Sequence, residues 1–137
     1  MQLHVTTSAA LPKLRGTLIL ATEGPGNVGQ LAVDLVLSTW RAVHVGWLDE
    51  DTLLPAVGNA GGPGNLALGL ELWQLPNNQA VFLLQQRAPA APGAQHTFAA
   101  HLAAWVHSAG FEQVPPALST LGCACDWFDA DCDPPRV

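Results

Sequence analysis

Positive charge is scarce in this 137-residue chain, where five Lys and Arg stand against eleven Asp and Glu for a net charge of -6. No basic cluster is dense enough to neutralise several phosphates, which argues against nucleic acid as a partner. Charge of either sign is thin, at 12% of residues, while 49% are hydrophobic; that balance excludes a disordered chain and fits one domain with an ordinary core. The longest uncharged stretch, residues 88–111, is interrupted by Pro89, Pro92, Gly93 and three His, so no membrane span is expected. Residues 1–21 lack a basic start ahead of an apolar core, which excludes a standard signal peptide and makes the chain read as intracellular. The three cysteines, Cys123, Cys125 and Cys132, are odd in number and confined to one short stretch. They fit a reducing compartment better than a disulfide framework.

What the chain does have is organised around the turn that follows the apolar run Leu18, Ile19, Leu20, Ala21. Gly24, Gly26 and Gly29 permit a tight reversal, and Asn27 with Gln30 has the spacing of a capping box, so a helix is expected to start near Val28. Val28, Leu31, Ala32, Leu35 and Val36 recur at helical spacing and are expected to face the sheet. Val33, Leu37 and Trp40 widen the apolar arc past a half-circle, leaving Gln30, Asp34, Ser38 and Arg41 as the polar stripe. A second buried side is expected, against another helix or against a partner subunit through Val33, Leu37 and Trp40.

The run from Ala42 to Leu48 reads as the next strand, and a helix between two such runs predicts a βαβ unit with parallel strands and a right-handed crossover. Residues 53–59 suit a buried loop or short edge strand, and Gly61, Gly62, Pro63 and Gly64 a flexible point. Leu66, Leu68, Leu70 and Leu72 alternate as a strand, turned at residues 76–79 into a second apolar strand over residues 80–86, an antiparallel hairpin. Phe98, Leu102, Trp105, Val106 and Ala109 mark a second helix ended by Gly110, with His96 and His107 on its solvent side and His101 on the flank. Residues 111–114 have the makings of one more strand that Pro115 and Pro116 interrupt. The fold class is therefore α/β, a mixed, mostly parallel sheet flanked by helices with Rossmann-like or phosphorylase-like topology, over residues 1–114. Residues 115–137 are expected to form a poorly ordered tail.

Gly24, Gly26 and Gly29 also satisfy the dinucleotide fingerprint G-x-G-x-x-G, and Asp49 falls where an acid for the ribose would stand. Against a cofactor, Glu23 would sit near a bound phosphate and Pro25 stiffens the turn; the other reading is a glycine turn that serves packing alone. Cys123, Cys125 and Cys132 lack the fourth ligand and the spacing of structural zinc, and the three His do not converge, so no metal is expected. No nucleophile has a catalytic context and no catalytic residue is named.

The run Gly26, Asn27, Val28, Gly29, Gln30, Leu31, Ala32, Val33, Asp34, Leu35 resembles the proteasome assembly chaperone 2 family. So do Val45 to Leu48, Pro55, Gly58 and Asn59 within residues 54–59, and residues 104–110. The likeness covers roughly residues 16–114. It implies a non-enzymatic chaperone of cytoplasm and nucleus with no cofactor, paired with proteasome assembly chaperone 1, holding the α subunits of the 20S core particle as their ring assembles. Under this resemblance the glycine turn becomes a packing device. The chain departs from the family in length, since members are about twice as long and continue with an apolar strand where Pro115 and Pro116 stand, so a C-terminally truncated or variant form with an incomplete sheet is expected. It also contains no tyrosine, so docking by the C-terminal hydrophobic-Tyr-any motif of some chaperones of this type is not expected of it.

Overall fold

In the computed structural model, residues 1–5, 14–21, 25–59 and 66–115 are described. Five strands form one mixed sheet: β1 (Gln2–Val5), β2 (Thr17–Ala21), β3 (Val43–Asp49), β6 (Leu70–Leu75) and β7 (Asn78–Gln86), in the order β1-β3-β6-β7-β2. A separate two-stranded ribbon pairs β4 (Val57–Asn59) with β5 (Leu66–Leu68). Helices α1 (Val28–Trp40) and α2 (Gln95–Ala109) complete the α/β fold.

The β6–β7 hairpin forms as the alternating leucines predict, joined through Pro76 and Asn77. The alternation is broken at Gly69, where β5 leaves the sheet to join the ribbon. The sheet is mixed, but one described pair, β2 with β7, is parallel, while β1–β3, β3–β6 and β6–β7 are antiparallel. The mostly parallel expectation is corrected accordingly. Strands β2 and β3 do run in the same direction on either side of α1, yet they are not neighbours. The hairpin inserts between them, because its apolar residues on both faces can only be buried in the middle of a sheet. β1, unpatterned in sequence, covers the other edge of β3, and the backbone of His4 comes so close to Gly46 that a side chain there would collide with it.

The pleat sorts side chains to two faces. Leu18, Leu72, Phe82 and Leu84 meet Phe98, Leu102, Trp105 and Val106 of α2, and Phe111 packs edge-on to Phe82 at 5.5 Å. On the opposite face Ala21, Leu75 and Leu83 meet Val33 of α1, with Val36, Leu37 and Trp73 around them. Gly110, at φ 84°, ends α2 as expected. Residues 53–59 are not buried: Val57, Gly58 and Asn59 are all exposed on the ribbon. The glycines at 61, 62 and 64, Gly24, the three cysteines and the expected tail beyond Pro115 lie outside the described residues.

Candidate functional site

The start of α1 is built by backbone conformation alone. Gly26 and Asn27 both take left-handed φ values, 73° and 54°, and the Asn27 side chain makes no capping hydrogen bond. The capping box is thus corrected: Gln30 turns to the sheet instead, where its Nε2 donates to the carbonyl of Gln86 at 2.6 Å. One helical turn on, Asp34 receives Gln85 Nε2 at 2.8 Å and Arg87 Nη2 at 2.8 Å. Gln30 and Asp34, four residues apart on one flank, therefore clip α1 to the end of β7.

Behind the clip stands Glu71, a buried carboxylate of β6 that accepts the Leu68 amide at 3.0 Å and lies 3.6 Å from Arg87 Nε. Burial alone would raise the pKa of Asp34, but the hydrogen bonds from Arg87 and Gln85 and the guanidinium charge outweigh it and hold the carboxyl below its ordinary value. His44, which meets Trp73 edge-on at 4.7 Å, has its pKa lowered by burial, with Glu71 opposing the shift. Asp34, Leu37 and Ser38 face Gly58, Asn59 and Ala67 of the ribbon across a cleft of about 480 Å³ whose floor includes Glu71 and Arg87.

The helix is rotated relative to the expected orientation. Gly29 and Val33 are buried, Val33 being 3% exposed, and Leu37 packs partly beneath the helix. Val33 is therefore withdrawn from the partner-facing strip, and Leu37 largely so; Trp40, 50% exposed, remains at the surface. The residues expected to face the sheet, Val28, Leu31 and Leu35, point to solvent at 61%, 63% and 67% exposure. Gly29 is buried with Val33 on this side of the helix, and the polar clip of Gln30 and Asp34 to the end of β7 fixes the azimuth. An almost uniformly apolar helix carried no sequence signal for that choice. The signal that was present, Gln85 and Arg87 closing an apolar strand opposite Gln30 and Asp34, is a pairing visible only once β7 lies beside β2.

The dinucleotide constellation does not assemble among the described residues. Asp49 ends β3 in an exposed position, and β6 and β7 separate that strand from β2, a gap of about 14 Å at ordinary strand spacing. The fingerprint places its acid on the neighbouring strand. Of the other motif positions, Pro55 is an exposed loop residue, and Gly58 and Asn59 line the cleft. On α2, His96 and His107 are exposed, while His101 Nδ1 lies 2.9 Å from the buried carboxylate of Glu50, which also takes the Thr52 hydroxyl at 2.5 Å. This ties α2 to the end of β3.

A family model described as the PAC2 family matches residues 18–115. Among curated proteins, proteasome assembly chaperone 2 of Nematostella vectensis is 37% identical over 122 residues, covering 83% of this chain and 49% of the relative. The Homo sapiens protein of the same name is 34% identical over 119 residues, covering 82% and 45%. The chain thus spans about half the length of the curated relatives it matches. Among solved structures, a Thermoplasma acidophilum protein described as of unknown function superposes with a TM-score of 0.62 at 16% identity, covering 73% of this chain and 40% of that one. Pyrococcus furiosus PbaA, described as an archaeal homolog of proteasome-assembly chaperone, gives 0.60 at 15% identity, covering 82% and 46%. At these identities the structures establish the shared fold.

Proposed function

The chain belongs to the PAC2 family, and from that premise we propose that it serves proteasome assembly as one half of a heterodimer with proteasome assembly chaperone 1. The pair holds α subunits of the 20S core particle while their ring forms, in the cytoplasm and nucleus where that ring is built. No catalytic step is assigned to it. The observation that carries this reading is the outward strip of α1. Val28, Leu31 and Leu35 stand more than half exposed on a helix whose one charged residue, Asp34, is engaged by Arg87. A solvent-facing helix face without charge has the composition of an interface core. Trp40, beside a surface groove of about 590 Å³ formed with Arg41 and Pro76, adds an aromatic anchor of the kind that dominates binding energy.

The test is co-expression of the chain with proteasome assembly chaperone 1, followed by size-exclusion chromatography and mass analysis. The reading predicts a one-to-one complex that Leu31→Asp or Leu35→Asp abolishes. Failure of the unsubstituted chain to form any complex while folded would overturn it. A complex that survives both substitutions would keep the pairing and remove α1 from it.

A further inference from the structure

The strand order leaves β2 at an edge of the sheet, and among the described residues the hydrogen bonds along that edge begin a ladder that stops at Gln113. Gln113 N donates to Gly16 O at 3.1 Å, and Leu18 N donates to Gln113 O at 2.9 Å, forming an isolated parallel bridge between Thr17 and Gln113. In a parallel ladder the next bond must be donated to Leu18 O by residue 115. Residue 115 is proline and has no N–H. The phase of the pleat makes Leu18 O, Leu20 N and Leu20 O the outward groups, since Leu18 N already points that way and Thr17, Ile19 and Ala21 turn toward β7. Among the described residues these outward groups meet no strand.

Such an edge is a template whose backbone groups specify their complement. We infer that β2 is an acceptor for an extended, apolar strand supplied in trans, parallel to β2 and entering just beyond Gln113. The chemistry of the occupant follows from what β2 already takes on its other side. β7 pairs with it in parallel, with Phe82 and Leu84 on the α2 face and Val81 and Leu83 on the α1 face. An added strand meets the same two layers, over half-buried Ile19 and Leu20, so it needs apolar residues at successive positions and a free N–H at the position facing Leu18 O. A helix offers no such row of groups and is excluded as the occupant of this edge. The proposal does not depend on which complex the chain serves.

The probe is a synthetic peptide carrying residues 80–86 of β7, with lysines at both ends for solubility, added in excess to the full 137-residue chain. Amide-resolved hydrogen exchange reads the edge directly. In the chain alone, Ile19 and Ala21 amides should be protected and the Leu20 amide should exchange at least roughly a hundredfold faster. With peptide, the Leu20 amide should slow by about tenfold or more, while a peptide N-methylated at alternate residues, unable to donate, should leave it unchanged. Leu20→Pro should remove peptide binding and keep Ile19 and Ala21 protected, because the N–H it removes points outward while those of Ile19 and Ala21 turn toward β7; the N-methylated control holds even where loss of the half-buried Leu20 side chain keeps that variant from folding. A Leu20 amide already as protected as its neighbours, one that stays fast with saturating peptide, or an N-methylated peptide that protects equally would each overturn the inference.

Discussion

Asp34 shows how much a single side chain can determine on this helix. It is the one charged residue of α1, and its carboxylate collects Gln85 and Arg87 at 2.8 Å each. Replacing Asp34 by Ala leaves a fully buried Gln85 amide and a half-buried guanidinium short of an acceptor, so a loss of about 1–2 kcal/mol is expected in urea unfolding. Solvent screening of the partly exposed pair keeps the figure at that level. Gln30→Ala should cost about 1 kcal/mol by removing its hydrogen bond to the Gln86 carbonyl. Glu50 acts by the same logic on the other face. Burial would raise its pKa, but the Thr52 hydroxyl, His101 and the Thr52 amide outweigh it, and the carboxyl titrates below its ordinary value of 4.5. A depressed folded pKa means that the stabilisation is complete above 4.5 and is lost as pH falls through the lower folded value. The urea midpoint should therefore fall steeply on acidification below about pH 4.5, and Glu50→Gln should flatten that slope while leaving the neutral-pH midpoint lower.

At the scale of the element, α1 is where sequence and structure part most instructively. Its existence, start and length follow from the glycine turn and the periodicity, and so does the burial of Phe98, Leu102, Trp105 and Val106 on α2, whose apolar stripe is narrower. The azimuth of α1 did not follow, because Val28, Leu31 and Leu35 are as apolar as Val33, Val36 and Leu37, and hydrophobic spacing cannot rank two apolar faces. What ranks them is the reach of Gln30 and Asp34 to the end of β7. The two faces should respond oppositely to the same change. Leu35→Asp, on a residue 67% exposed, should shift folding stability by no more than about 0.5 kcal/mol, whereas Val33→Asp, on one 3% exposed, should cost more than about 3 kcal/mol or abolish folding. Circular dichroism melts of the two variants check the rotation of the helix; equal losses would mean that both faces are buried.

For the molecule as a whole, strand existence was legible in alternation and turn residues, but strand order was not. Neighbours in this sheet are chosen by long-range burial, so β6 and β7, adjacent in sequence, enter between β2 and β3, and Asp49 is carried away from the turn it would have had to serve. The short strand within residues 53–59 was one of two readings open there, whereas β1 escaped notice for a different reason: a short edge strand buries little and needs no strong pattern. The proline at 115, by contrast, was readable from the outset as a strand breaker, and the ladder shows which bond it removes. Its consequence is testable without any partner. Pro115→Val restores the N–H opposite Leu18 O and also relieves the restriction proline places on Val114. If the ladder is interrupted there for want of that donor, the variant should extend it by the bond to Leu18 O and a return bond from Leu20 N. Stability should then rise by about 1 kcal/mol, the net yield of ladder hydrogen bonds less the ordering of two further residues. Slowed exchange at Leu20 accompanied by a higher urea midpoint would meet that expectation, whereas an unchanged Leu20 amide would place the interruption in the path of the chain after Gln113 and not in the missing donor.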